Sequence, residues 1–565
     1  MKSKKQSGML PVSLFAAGAF MVASTAAIAA PPSGGQGSDW ATAGGDRQNT
    51  RYQQSEHTLS AANVANLVVK WSVTTGGDVS ATPSVDDRAV YFPDRAGFLY
   101  AVDKLTGQVK WTASIAAATG VPGDHARATP AVTRDKVIVG TQGPFGGGGK
   151  VLAFDKSAGT LLWSTTADVH VAAIITQSAT VFDGRVYVGV ASQEEAFATI
   201  PGYPSPSFRG CMLALDEATG QIIWKTYMAP VGFPGNAVWG SSPAVDPKRG
   251  QVYIATGNNY SAPLATLACV DAAGNDPNAM RACLPADDFF DSVLALDMKT
   301  GAVRWATRTL GFDAWTADCL PFLGSGTNCP DPEGPNFDFA QAPALFKTKG
   351  ADGKQIELLG AGQKSGQYWA LSPDTGAVAW VTQTGPGGTF GGLQWGSAVD
   401  GTRVYTANAN SNGVPWTLPN GATTSTGIWS GLDARTGQIL WQTADPRGGG
   451  ASGPVTTANG VVFGCSLDLA GHMYALNAAT GAILWSFASG GSCVSGAAIS
   501  DGMLFWGSGY SRLGTPNNKL FAFGLQTEAS GWRLNGWNCG RYCTRVQPAF
   551  FCRSTTSRFS ALSCS

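Results

Sequence analysis

Several short stretches of the chain gather the residue types that chemistry needs. Glu194 and Glu195 stand side by side in YVGVASQEEAF, and Asn258 follows Gly257 in IATGNNY. Asp313 and Asp318 flank Trp315 in FDAWTADC, and Lys364 sits in GAGQKSG. Carboxylates and amide carbonyls are hard oxygen donors of the kind a calcium-like cation takes. An Asp within reach of a hydroxyl can accept its proton. An ammonium stabilises negative charge as it develops on a nearby oxygen. Trp239, in GNAVWGSSPAVD, offers a broad flat apolar face. Arg127 (DHARATPAV), Thr176 (IITQSA) and Gln394 (GGLQWGSA) add a guanidinium fork, a hydroxyl and an amide, the donors that suit a carboxylate-bearing ligand. Each residue also has a bland reading, as a loop carboxylate, a turn Asn or a packing Trp, so residue type alone leaves the roles open.

Other chemistries lack their residues. The four histidines (57, 125, 170 and 472) show no metal-ligand spacing, and there is no Walker loop, G-x-S-x-G element or zinc-type cysteine cluster. No C-x-x-C-H occurs, so no c-type haem is attached to this chain. The run GGGG (146–149) precedes a strand-like segment and reads as a loop. Lys+Arg (38) balance Asp+Glu (38), which argues against a nucleic-acid partner. With 44% hydrophobic residues the chain can build a core, unlike a disordered chain.

The ends read as separate from the body. Lys2, Lys4 and Lys5, the apolar run from Met9 to Ile28 and Ala27-Ile28-Ala29 mark residues 1–29 as a cleavable signal peptide. A flexible linker (30–38) follows. No later run of 18 apolar residues is present, so no membrane span is expected, and the export signal points to a periplasmic or secreted protein. Export permits disulfides. Cys269/Cys283, Cys319/Cys329 and Cys465/Cys493 are the close pairs, although spacing does not fix connectivity. Cys211 reads as a buried free thiol. Cys539, Cys543, Cys552 and Cys564 crowd a tail (527–565) that reads as disordered or atypical.

One phrase recurs through the body and must position the candidate residues. It reads LYAVDKLTGQVKW (99–111), VLAFDKSAGTLLW (151–163), MLALDEATGQIIW (212–224), VLALDMKTGAVRW (293–305), YWALSPDTGAVAW (368–380), WSGLDARTGQILW (429–441) and MYALNAATGAILW (473–485). Each is a strand, a turn closed by Gly, and a second strand ending in Trp. An eighth copy is split: LFAFGLQ (520–526) supplies its first half and VVKWSV (68–73) its second. The eight repeat Trp, from Trp71 to Trp485, recur about every 59 residues, the period of a four-stranded propeller blade. The expected fold is therefore all-β: an eight-bladed β-propeller over 39–526, closed by an N-terminal strand that completes the last blade. The repeat Trp are packing residues. Trp239 falls outside their phase.

The phrase A-x-D-x-x-T-G-x-x-x-W resembles the tryptophan-docking repeat of the quinoprotein alcohol dehydrogenases. Residues 39–71, with N-T-R-Y and N-V-x-x-L, are similar to the opening of that family, and the resemblance spans 39–526. DFAQAPALF (338–346) and LLGAGQKSGQYWALSPDTG (358–376) are most similar to members acting on polyvinyl alcohol. The resemblance implies pyrroloquinoline quinone (PQQ) as cofactor with a divalent ion, usually Ca2+, although another divalent ion or a lanthanide fits the same scheme. It implies Trp239 as the floor under the quinone, and Glu194 and Asn258 as metal ligands, with Glu195 the alternative to Glu194. The family motif H-D-x-W-D meets FDAWTADC here. Trp315 anchors it, Asp313 falls on the first Asp, and Thr316 replaces the second. Asp318, two residues on, is taken as catalytic base and metal ligand, with Asp313 the other candidate base. Lys364 falls beside the reactive carbonyls, and Arg127, Thr176 and Gln394 contact the cofactor. The implied reaction is oxidation of secondary or polymeric alcohols, with electrons leaving to a separate cytochrome c. The adjacent Cys-Cys pair of many relatives is missing, and GGGASGPV (448–455) replaces a late Trp, which implies an open mouth. The alternative is a non-catalytic assembly propeller of the BamB type, which shares the repeat and binds no quinone.

Overall fold

The computed structural model describes residues 39–144, 148–526 and two short strands, Cys543–Val546 and Ala549–Cys552. The signal peptide and the linker lie outside the described residues, as does the tail apart from those two strands.

Eight antiparallel sheets succeed one another along the chain. Blade 1 is typical: Ser84–Val85, Ala89–Pro93, Phe98–Asp103 and Val109–Ser114 run in order from the inner to the outer strand. In blade 3 the inner strand is broken into Ala173–Ile174 and Thr180–Phe182, both paired with Arg185–Ser192. Blade 8 takes its three inner strands from the C-terminal end of the ring. Its outer strand is Leu67–Thr74, paired antiparallel with Lys519–Leu525. The split repeat therefore closes the ring, leaving no open sheet edge at the junction.

The recurring phrase forms the third and fourth strands of each blade, and its residues explain both the turn and the packing. Asp103 accepts hydrogen bonds from the Leu105 and Thr106 N–H groups and from the Thr106 hydroxyl, while Gly107 takes φ +72°. A Cβ on Gly107 would lie 2.7 Å from the Trp71 ring, so the indole of one blade lies flat on the turn of the next. The indole N–H then reaches past that turn: Trp71 donates to Lys104 O, Trp111 to Lys156 O, Trp163 to Glu217 O and Trp441 to Ala478 O. Trp485 closes the circle by donating to Leu67 O. Trp380 packs on Gly437 in the same way, but its N–H finds no acceptor among the described residues. The apolar core lies between blades. Val85, Val90 and Phe92 of blade 1, for example, pack on Ala498, Phe505 and Ala522 of blade 8. Truncating one such docking Trp to Ala costs roughly 3–5 kcal/mol.

The segment before the first blade ties all eight blades together. Its residues bond the inner strand of each blade in turn: Trp40 to Val85, Ala41 O to Val132 N, Thr42 Oγ1 to Ala179 O and Arg47 O to Val245 N. Gln48 O then meets Leu345 N, Thr50 O meets Val399 N, Arg51 O meets Thr457 N, and Gln53 Nε2 meets Ile499 O. A segment that touches every innermost strand must lie across the axis, so it closes one end of the central channel. The loops entering the inner strands, and those joining second to third strands, emerge at the opposite end because the strands alternate in direction. These loops carry the candidate residues.

Candidate active site

Trp239 enters from the loop before blade 4. Its indole N–H donates to Asp338 Oδ2 at 3.0 Å, and its ring meets the edge of Trp395 at 5.2 Å and 79°. One side packs on Ile174, Ala191 and Ala237, so the ring is half-buried and braced from behind. Thr176 donates its hydroxyl to the Trp239 carbonyl. Arg127 lies over the face of Trp395 at 4.8 Å and over Tyr510 at 4.9 Å, and it donates to the Tyr510 hydroxyl. Gln394 accepts from the Ser452 hydroxyl on the next blade. Trp239, Thr176 and Arg127 thus join Trp395 in one aromatic and cationic wall.

Lys364 stands beside that wall. Its ammonium lies 3.1 Å from Asp338 Oδ2 and 2.9 Å from Asn336 Oδ1, and 5.4 Å from the centre of the Trp239 ring. Burial pulls its pKa down. The carboxylates of Asp338, Glu195 and Asp313 outweigh burial and hold it above the ordinary lysine value. Asp338 is the hub: it accepts from Trp239 and Lys364 through Oδ2 and from the Asn258 N–H through Oδ1. The Asn258 side-chain N–H2 donates to the carbonyls of Asn259 and Trp315. This fixes the amide and turns its oxygen the other way.

Two further acids complete the cluster. Asp313 is fully buried and accepts from the Asn336 and Phe337 N–H groups. Burial, with Asp338 nearby, nevertheless pushes its pKa up to about 6. Asp291 is buried beside it at φ +40°, and among the described residues no N–H or hydroxyl group reaches either of its oxygens. Its neighbour is the Asp313 carboxyl, so the contact is favourable only when one of the two carries a proton. Burial and the charges of Asp313 and Asp338 raise Asp291 well above the ordinary carboxylate range.

Glu194 and Glu195 part company at the head of a short helix, Glu194–Phe197. Glu194 is 1% exposed and turned into the wall. It accepts from the Ser207 and Phe208 N–H groups and the Tyr203 hydroxyl. Glu195 faces the cluster. Burial and the charges of Asp338 and Asp313 push its pKa up to about 7, against the opposing pull of Lys364 and Arg512. Of the pair, the structure therefore brings Glu195 to the acidic cluster and spends Glu194 on its own loop.

Asp318 is also spent. It is buried at the base of the loop closed by the Cys319–Cys329 disulfide, and it accepts from the Ser325 and Asn328 N–H groups. Asn328 in turn donates to the carbonyls of Ala198 and Tyr203, so Asp318 and Glu194 brace two rim loops that pack together. The other two disulfides, Cys269–Cys283 and Cys465–Cys493, also form, and Cys211 is free and buried.

Sequence reasoning gave no role to Asp338, Asp291, Asn336 or Trp395. A signal for Asp338 was present: N-F-D-F (336–339) keeps the aromatic–Asp pair of H-D-x-W-D, with Phe in place of Trp. Asp291 carries no comparable signal.

A PQQ-type quinone and a cation fit this set of donors. Asp291, Asp313, Asp338 and Glu195 outnumber the cations beside them, Lys364 and Arg512, so the cluster is short of positive charge; burial first, and mutual repulsion after it, raises the pKa of three of the four acids. A bound cation supplies that charge. The half-buried Trp239 presents the flat apolar face a planar ring needs.

A propeller of docked tryptophans with an acidic cluster and an indole platform at its mouth has the build of a quinoprotein. The sequence profile described as outer membrane protein assembly factor BamB matches residues 41–143, 69–307 and 425–536. Those segments carry the repeat but leave out 308–424, where Asp313, Asp338 and Lys364 lie. The chain is 30% identical to the polyvinylalcohol dehydrogenase of Sphingopyxis sp. (strain 113P3) over 550 residues, 87% of this chain and 76% of that one. It is also 30% identical to a polyvinylalcohol dehydrogenase of Pseudomonas sp. over 533 residues, 85% of this chain and 74% of that one. The crystal structure of the quinohemoprotein alcohol dehydrogenase from Comamonas testosteroni has the same fold, with a TM-score of 0.64 at 20% identity over 87% of this chain and 81% of that one. The chain belongs to the PQQ-dependent quinoprotein alcohol dehydrogenase family, together with the polyvinyl alcohol dehydrogenases.

Proposed function

We propose that the protein is exported and oxidises secondary alcohols, polymeric ones included, to ketones, passing electrons to a separate cytochrome c. The observation that carries this reading is the convergence of Asp338, Lys364 and three acids of raised pKa beside the Trp239 platform. When bound, PQQ supplies the two-electron acceptor and its cation supplies Lewis acidity. Glu195, the Asn258 side-chain oxygen and Asp291 are the candidate cation ligands, in place of Glu194 and Asp318. Asp338 is the candidate base for the alcohol proton. Lys364, in contact with it, stabilises negative charge at the same point, and Trp239 excludes water from one face.

The mouth supports a bulky substrate. Ile200, Phe322 and Leu323 stand exposed on the two rim loops that Asn328 joins, and Phe390 is exposed near Asn336. Apolar side chains there suit a chain of alternating methylene and carbinol carbons better than a small alcohol. Among the described residues no helix is long and apolar enough to cross a membrane. Loading the purified protein with PQQ and Ca2+ and following dye reduction with 2-propanol, 2,4-pentanediol and polyvinyl alcohol tests the reading. Turnover rising along that series is expected. Absence of quinone uptake would leave the BamB-like scaffold as the better description.

A further inference from the structure

Arg51 belongs to the N-terminal segment that closes the channel, yet its side chain leaves that segment and points toward the platform. It is 2% exposed and takes φ +52°. Its backbone N–H donates to Gly44 O and its carbonyl accepts from Thr457, so the main chain is pinned on both sides. Its Nη2 donates to the Trp395 carbonyl at 3.3 Å, while Nε and Nη1 are buried with no acceptor among the described residues. Among the described residues no carboxylate pairs with it. Burial lowers its pKa to about 9, which still leaves it charged near neutral pH. A buried charge without a counter-charge is destabilising, and a Met of similar length would fill the space at less cost. Such a group points to a role other than stability.

The group it touches is in an unusual state. Trp395 sits at φ +60°, a left-handed conformation that bulky residues rarely adopt. Three bonds hold its peptide: Trp395 N–H to Ala340 O, and the Ser241 hydroxyl and Arg51 Nη2 to Trp395 O. In that conformation the indole stands edge-on to Trp239 and offers its face to Arg127. The next residue must be Gly, because a Cβ on Gly396 would lie 2.1 Å from Arg51 Nε.

We propose that Arg51 is a positioning residue: by holding the Trp395 peptide in its left-handed conformation, it sets the angle between Trp395 and Trp239 and the stance of Arg127, and so couples the segment that ties the eight blades to the cofactor platform. The inference rests on the quinoprotein reading of the same site and concerns the affinity for the quinone. The alcohol chemistry itself is outside its reach.

The test compares wild type with Arg51→Met, Arg51→Lys and Gly396→Ala by PQQ titration of the metal-loaded apoprotein, read as tryptophan fluorescence quenching, and by near-ultraviolet circular dichroism without quinone. Displacing a group that aligns a binding surface is expected to weaken PQQ binding by about 10–100-fold in Arg51→Met. Arg51→Lys should recover part of the affinity, and the dichroism band of the Trp239–Trp395 pair should shrink in step. Gly396→Ala leaves the charge in place and pushes the guanidinium aside, so it should reproduce the loss even if Arg51→Met fails to fold. Unchanged PQQ affinity and dichroism in folded Arg51→Met or Gly396→Ala protein would overturn the inference. Failure of wild type to bind PQQ would instead sink the quinoprotein reading on which it rests.

Discussion

Glu194, buried, and Glu195, half-buried, are adjacent and identical in type, yet they have opposite surroundings. Glu194 receives two backbone N–H groups and a tyrosine hydroxyl, a full set of donors for an ionised carboxylate. Glu195 receives none of these and sits in the field of Asp338 and Asp313, so its charged form is disfavoured. The same contrast separates Asp318, saturated at the base of its disulfide loop, from Asp291, whose two oxygens receive no N–H donor among the described residues. A saturated carboxylate holds a loop. An unsaturated one has capacity left for a ligand. Burial alone, which all four share in some measure, does not distinguish the two kinds.

The contrast can be broken by substitution. The largest effect should come from Asp338→Asn, which keeps the shape of the hub and removes its basicity: kcat should fall by roughly 10²–10⁴-fold with PQQ still bound. Next come the paired variants. Glu195→Gln should abolish cation-dependent turnover while leaving Tm unchanged or raised, because a costly buried charge is removed. Glu194→Gln should lower stability by about 1–3 kcal/mol, the cost of weakening bonds to buried N–H groups, and retain turnover in the folded fraction. Asp318→Asn should behave like Glu194→Gln, with a smaller effect, since the Cys319–Cys329 bridge still closes its loop. Denaturant melts and steady-state kinetics on the same preparations separate the two patterns.

A pH series sharpens the contrast with a smaller effect. Asp313, Glu195 and Asp291 have folded-state pKa values raised above those of the unfolded chain. Between about pH 4 and pH 7 the unfolded chain has therefore released protons that the folded apoprotein still holds, and stability falls as pH rises through that window. A bound cation replaces those protons, so the decline should vanish when Ca2+ is present. Thermal melts at pH 5 and pH 7.5, with and without Ca2+, read the difference.

The blades were legible because their contacts repeat. Seven of the eight docking Trp meet a turn Gly 36 to 77 residues ahead, as Trp71 meets Gly107 and Trp224 meets Gly301, and seven complete copies of one phrase make that relation visible without a structure. The split copy was legible for the same reason: Trp71 occupies the repeat position without a preceding strand. The site was legible only in part. Trp239 and Lys364 stand out by phase and by a distinctive local motif. The choice between Glu194 and Glu195 turns on the rotation of a single helical turn, which residue order does not encode. Asp338 lies 23 residues after Trp315, beyond a disulfide loop, so the motif match settled on the nearer FDAWTADC. Asp291 and Arg51 owe their significance to buried polar atoms that no N–H donor or acceptor among the described residues satisfies, a property that exists only in three dimensions.

The central claim, that the unsaturated acids rather than the saturated ones take the cation, is tested most directly by terbium luminescence. Tb3+ is sensitised by a nearby indole, and Trp239 lies beside the cluster. Wild type, Glu194→Gln and Asp318→Asn are expected to give a saturable, Ca2+-competed signal of similar affinity, with Glu195→Gln weakened by an order of magnitude or more, about 10–100-fold. Full binding by Glu195→Gln together with loss in folded Glu194→Gln would contradict it.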